Sequence, residues 1–176
     1  MESTDFNPLD NITADKDRYA ATEICKWRDE CVVGEVHDKN SYYNGGVCGH
    51  AGLFSTINDL IIFCQMILKS PLREQILSPY TIDLMTKNWT EELNNNRGLG
   101  WDLIGNFRSS GGIYFSQRAF GHTGFTGTSI WLDPELELGI ILLTNRVHPS
   151  RENVKIVNLR PRLHNLIVNQ YRKGAV

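Results

Sequence analysis

The order of its hydrophobic patterns places this chain in the α+β class, with an antiparallel sheet flanked by helices. Three observations predict it. Apolar positions at helical spacing come first, around residues 57–69 and 79–85. Short apolar runs separated by turn signals follow between residues 98 and 144, as in an antiparallel meander. A further helical pattern then closes the chain. At 176 residues the chain suits one domain with a core of its own. We divide it into a loop-and-helix region, 1–96, and a sheet with a C-terminal helix, 97–176.

Each element has a local reason. The first forty-odd residues are polar and weakly periodic, with turn-forming clusters at Asn7-Pro8-Leu9-Asp10 and Asp15-Lys16-Asp17, and read as loop with short local structure. Residues 45–54 form a glycine-dense loop. Thr56-Ile57-Asn58-Asp59 then reads as a capping box, with Thr56 as N-cap and Asp59 near the positive helix end. Leu60, Ile61, Cys64, Ile67 and Leu68 recur at helical spacing, predicting a helix over about 57–69. Ser78-Pro79 opens a second helix, because proline is tolerated in a first turn whose N–H groups are unpaired anyway. Ile82, Leu84 and Met85 form its buried side.

Beyond the polar Asn94-Asn95-Asn96, residues 98–104 read as the first strand of the meander. A turn at 109–112 leads to a short strand at 113–115, then strands at about 119–123, 128–132 and 138–144. Between the last two, Asp133-Pro134-Glu135 is a turn: aspartate bonds back to the backbone and proline presets φ. A final helix starts near Pro161 and puts Leu163, Leu166, Ile167 and Tyr171 on one face. Trp101 and Trp131 fall in strands and read as core or interface.

Composition narrows the function classes. A net charge of −2 gives no electrostatic footprint for nucleic acid or for a polybasic membrane contact. No run approaches the ~20 apolar residues of a membrane span. Met1-Glu2-Ser3-Thr4-Asp5-Phe6 has neither a positive n-region nor an apolar h-region, so the chain as given shows no export signal and reads as soluble. The compartment of a longer parent stays open. Cys25, Cys31, Cys48 and Cys64 include no Cys-x-x-Cys pair, so reduced thiols are the default. A Cys25–Cys31 disulfide remains open for an exported protein. His37, Cys48 and His50 fit no familiar zinc spacing, and neither a metal nor a cofactor is expected.

The most informative stretch is Phe120-Gly121-His122-Thr123-Gly124-Phe125-Thr126-Gly127-Thr128, which runs directly into the apolar strands. With it, the chain resembles the serine β-lactamase and penicillin-binding-protein superfamily, whose Lys-Thr-Gly or His-Thr-Gly triplet lies on the strand lining the active site. The closer likeness is to the class C-like branch of esterases, D-amino-acid peptidases and carboxypeptidase-like proteins. It covers nearly the whole chain, over Gly34-Glu35-Val36-His37-Asp38-Lys39-Asn40, residues 45–56 and Arg97-Gly98-Leu99-Gly100-Trp101, and through Thr144-Asn145-Arg146-Val147-His148-Pro149 to the last helix. A lone His-Thr-Gly says little; the order and spacing of these segments together are specific.

The resemblance implies a partial β-lactamase/transpeptidase-like fold, corresponding to the later half of a family member. It implies roles residue by residue. His122 would support proton transfer or hold an anion when charged. The Thr123 hydroxyl would bond a substrate carboxylate or amide, and Gly124, lacking a Cβ, would let substrate approach the backbone. The Phe125 N–H would be one of two oxyanion-hole donors, worth roughly 3 kcal/mol in comparable sites. The implied substrates are esters, D-Ala-type peptides or β-lactams, and histidine in place of lysine leans towards esterase or peptidase chemistry.

One part of that machinery is missing from the sequence. A Ser-x-x-Lys nucleophile needs lysine one helical turn after serine, and no serine of this chain has lysine three residues on. Thr13-Ala14-Asp15-Lys16 sits in a polar loop, and Tyr42-Tyr43-Asn44 lies where the likeness does not put the family's Tyr-x-Asn. There is no Gly-x-Ser-x-Gly elbow. The chain alone is therefore expected to lack acyl-transfer activity, with serine and lysine supplied by upstream residues of a longer protein. Two alternatives stand beside this: a non-catalytic module binding peptide or cell-wall fragments, and a subunit that completes a site with an upstream half or, as a homodimer, with a second copy.

Overall fold

The computed structural model describes residues 1–11, 13–68, 76–105 and 109–174. An antiparallel four-stranded sheet organises it, in the order β5 (Asp102–Leu103), β6 (Phe120–Thr123), β7 (Ser129–Asp133) and β8 (Leu138–Leu142). This is the expected meander. Register pairs Gly121 with Trp131 and His122 with Ile130 across β6 and β7, and Trp131 with Ile140 across β7 and β8.

Both faces of the sheet are covered, which explains why β8 is apolar throughout. Successive side chains point to opposite faces of a strand. Phe120, Ile130, Leu132 and Ile141 meet Cys64, Ile67 and Ile82 from helices α2 (Ile57–Leu68) and α3 (Pro79–Met85). The alternate positions Trp131 and Ile140 pack with Phe115, Ala119 and Val168 of the terminal helix. Trp131 is fully buried and stacked on Phe115 at 5.9 Å.

Ser78 caps α3 as the sequence predicts, accepting the Thr81 N–H at 3.1 Å. The Thr56 box forms differently. Thr56 Oγ1 accepts the Asp59 N–H over a long 3.4 Å, while the Asp59 carboxylate takes the Ser3 N–H and the Thr4 hydroxyl. Asp59 thus ties the N-terminal segment to α2 instead of closing a capping box. The expected helix end at Lys69 lies outside the described residues.

The N-terminal region holds more order than loop. Strand β1 (Asp5–Phe6) pairs with β4 (Leu53–Phe54), and β2 (Ile24–Cys25) pairs with β3 (Glu30–Cys31) as a small hairpin. A one-turn helix, α1 (Lys39–Tyr43), is capped by Asp38, whose carboxylate accepts the Ser41 N–H at 2.8 Å. All four cysteines are free thiols. In the hairpin Cys31 faces Ile24 and Cys25 faces Glu30, so the two thiols are not opposed.

Three expectations are corrected. The first meander strand is only Asp102–Leu103, because residues 98–101 bend away and only Arg97 bridges back, to Asp102. Residues 113–115 form bends, since the Ile113 and Tyr114 N–H groups bond the Asn165 side chain and not a neighbouring strand. The terminal helix α4 spans Ile156–Arg172, with Pro161 inside it. Its buried positions are Ile156, Arg160, His164 and Val168, whereas Leu166 is exposed.

Candidate active site

The site is built where β6 ends. Gly124, Phe125, Thr126 and Gly127 make a turn closed by Gly127 N–H to Gly124 O at 3.1 Å and by Gly124 N–H to Thr128 O at 2.8 Å. Every carbonyl of that turn is occupied from within the protein. Arg160 Nη2 donates to Gly124 O and Thr128 O at 3.0 and 2.8 Å. Arg146 Nε donates to Phe125 O at 2.8 Å, and its backbone N–H to Thr126 O at 2.7 Å. The Thr144 hydroxyl donates to Gly127 O at 2.6 Å. The Phe125 N–H and the Thr123 hydroxyl, by contrast, take no partner among the described residues. Saturated acceptors beside a free donor make this turn suited to an anionic oxygen.

Two glycines allow it. Gly127 sits at φ +129°, and a Cβ there would meet Thr144 O at 2.8 Å and Arg146 N at 2.9 Å. A Cβ on Gly124 would run into Thr128 Oγ1. The glycine of the triplet thus leaves room for the Thr128 hydroxyl inside the turn, a reason separate from substrate approach.

His122 is exposed and its tautomer follows from its partners. Thr123 O can only accept, so Nδ1, at 2.9 Å from it, carries the proton. Arg97 can only donate, so Nε2, 3.3 Å from its Nη1, presents a lone pair. Arg97 is itself paired with Asp102 at 2.5 Å. In this arrangement the Nε2 edge of the imidazole is turned towards a guanidinium.

Beside the turn lies a charged cluster that the sequence reading did not assemble. Buried Glu23 receives Arg151 Nε at 2.9 and 3.0 Å and Arg151 Nη2 at 2.5 Å, and His37 Nε2 lies 3.0 Å away. The Arg151 guanidinium, then the His37 bond, hold the Glu23 carboxyl down at about 2 against the opposing effect of burial. The His37 ring stacks on Phe125 at 5.6 Å, and the Arg146 guanidinium lies 4.1 Å from the centre of the same phenyl. Behind the turn, burial and the neighbouring Arg146 lower the pKa of Arg160.

His37, Cys48 and His50, weighed above as a metal set, are not brought together. His37 pairs with Glu23 and His50 with Asp38 at 3.1 Å. Among the described residues no group of three or more His, Cys, Asp or Glu side chains could hold a metal. Glu23, Arg146, Arg151 and Arg160 were missed as site residues. Arg146, Arg151 and Arg160 stood in the stretch of family likeness that runs to the last helix without being singled out, and nothing local marks Glu23 as the partner of a residue 128 positions on.

An open cavity of about 1880 Å³ lies in front of these groups. His122, Thr123, Gly124 and Phe125 line it together with Glu23, His37 and Arg151. The four residues named from the sequence therefore share one wall.

Comparison with known proteins places the chain. The family model described as Beta-lactamase matches residues 1–160. The chain belongs to the Beta-lactamase family. Curated relatives include the N-acetylmuramyl-L-alanine amidase of Bacillus subtilis (strain 168), 36% identical over 164 residues, which cover 84% of this chain and 36% of that protein. A Salmonella newport protein named "Putative D-alanyl-D-alanine carboxypeptidase" is 34% identical over 134 residues, 73% of this chain and 31% of its own length. The chain thus spans about a third of the curated relatives it matches.

Solved structures agree on the fold. Unliganded simvastatin synthase from Aspergillus terreus superposes with a TM-score of 0.64 at 17% identity, over 98% of this chain and 47% of that one. A β-lactamase from Mycobacterium bovis gives 0.58 at 24% identity, over 69% and 46%. The α+β assignment and the Beta-lactamase family fold are both established. Among the described residues no helix is long and apolar enough to cross a membrane.

Proposed function

We propose that this chain supplies one wall of an acyl-transfer site in a serine hydrolase of the Beta-lactamase family. The Phe125 N–H acts as an oxyanion donor, the Thr123 hydroxyl and the Gly124 backbone hold the substrate chain along the end of β6, and His122 assists proton transfer or anion binding. The observation that carries this reading is the turn at 124–127, whose carbonyls are all occupied while the Phe125 N–H takes no partner among the described residues. Such a donor stabilises charge that develops in the transition state without reorganising at the moment of reaction.

The substrate class is an ester or an amide of a D-Ala-type peptide, in line with the name of the carboxypeptidase relative. Because no serine here precedes a lysine by three residues, the nucleophile and its base come from elsewhere and the isolated chain does not turn over. A second reading, assembly with a complementing polypeptide, is favoured by the cavity. At about 1880 Å³ it exceeds the roughly 300–1,000 Å³ of small-ligand sites.

An N-acyl-D-Ala-D-Ala peptide titrated into ¹⁵N-labelled chain tests the proposal. Saturable shifts of the Thr123, Gly124 and Phe125 amides, with no product formed, are expected. Saturation confined to residues remote from the cavity, or no shift at millimolar peptide, overturns it.

A further inference from the structure

Phe125 poses a physical problem. The residue is 57% exposed and sits on a turn, so no core holds its side chain, yet its N–H must be fixed if it is to serve a reacting oxygen. Misplacement by about 1 Å can cost a hundredfold in rate. We propose that Glu23, His37 and Arg151 form a positioning clamp that holds Phe125, and through it the oxyanion donor. The inference rests on the donor role proposed above and extends it to residues from another part of the chain.

The chain of contacts is continuous. The His37 ring lies nearly parallel to the phenyl, at 18° and 5.6 Å. Glu23 fixes His37 through Nε2 at 3.0 Å. Glu23 is fixed in turn by Arg151 through a forked pair at 2.9, 3.0 and 2.5 Å and by the Arg151 backbone N–H at 3.3 Å. The Arg151 guanidinium also lies 5.6 Å from the Phe125 ring. Arg146 closes the loop: it donates to Arg151 O at 2.7 Å and to Phe125 O at 2.8 Å, and packs on the phenyl.

A buried carboxylate with this many partners is seldom more stabilising than an apolar replacement. What it provides is direction, since forked guanidinium geometry fixes orientation as well as distance. Glu23 and Arg151 therefore act as positioning residues, through His37, and touch no reacting atom.

Backbone ¹⁵N order parameters of the ligand-free chain test the clamp. In the wild type the Phe125 N–H is expected near the rigid limit of about 0.85. His37→Ala should drop it towards about 0.6, and His37→Phe, which keeps a flat ring but cannot bond Glu23, should lower it as well. Arg151→Lys provides an independent arm: it keeps the charge, loses the fork, and should also lower Phe125. The Trp131 amide, in the buried strand, reports whether each variant is folded and should not change. A Phe125 order parameter unchanged in both H37A and R151K, with Trp131 intact, overturns the clamp, as does an H37F variant as rigid as the wild type. The donor role is judged separately by the peptide titration. If the peptide leaves the Phe125 amide unmoved while the order parameters behave as described, the clamp stands and the donor role falls.

Discussion

Replacing Glu23 by glutamine should remove a measurable, pH-dependent part of the stability of this chain. The wild-type carboxyl is held at about 2 instead of its ordinary 4.5, chiefly by the Arg151 guanidinium. A depression of that size corresponds to about 3 kcal/mol. Glu23 is buried, but the Arg151 side chain is 49% exposed, so solvent weakens the pair and about 2 kcal/mol is the better expectation. The sign follows from linkage. A carboxyl with a lowered folded-state pKa contributes fully above its unfolded value near 4.5, and the contribution is lost as pH falls towards 2. The assay is urea unfolding of wild type and E23Q at pH 7, 5, 3.5 and 2.5. The gap between them should be about 2 kcal/mol at pH 7 and 5, then close across the two acid points. Taking the difference cancels Asp38 and Asp59, whose carboxyls are also lowered. Equal midpoints at pH 7, or a gap that does not change with pH, would refute the ion-pair account of Glu23.

Three further perturbations have defined outcomes. Fully buried Asp133 accepts the Ser116 N–H and hydroxyl at 2.7 Å each, and the Glu135 and Leu136 N–H groups at 3.0 and 3.1 Å. Asp133→Ala strands these donors and should cost about 3 kcal/mol by urea unfolding. Gly127→Ala forces a Cβ against Thr144 O and Arg146 N at positive φ, and should destabilise by about 1–3 kcal/mol while shifting the amides of residues 124–127. Burial raises the Cys64 thiol to about 11, so at pH 8 a thiol reagent should modify exposed Cys31 well before Cys64, which reacts fully only in urea.

Much of the fold was legible because local chemistry and tertiary packing agree. Ser78-Pro79 names the start of a helix, Asp133-Pro134-Glu135 names a turn, and β8 is apolar throughout, as a sheet covered on both faces requires. The failures occur where a distant residue overrides a local preference. Pro161 looks like a helix start, yet the turn before it forms because Ile156 and Arg160 are buried and the Leu159 N–H closes on Lys155 O at 3.2 Å. Ile113, Tyr114 and Phe115 favour a strand, but the side-chain carbonyl of Asn165 takes two of their N–H groups. The four proposed site residues are contiguous, so a motif could reveal them. The groups arranged around them come from 23, 37, 146, 151 and 160, positions whose adjacency exists only in three dimensions.

The most direct measurement is intact mass after incubating the pure chain with a fluorophosphonate and, separately, with a penicillin. The account predicts an unchanged mass in both, because the chain presents a donor turn and a substrate wall with no activated serine. A stoichiometric adduct in either, with peptide mapping to name the residue, would show a nucleophile in this chain and contradict the account.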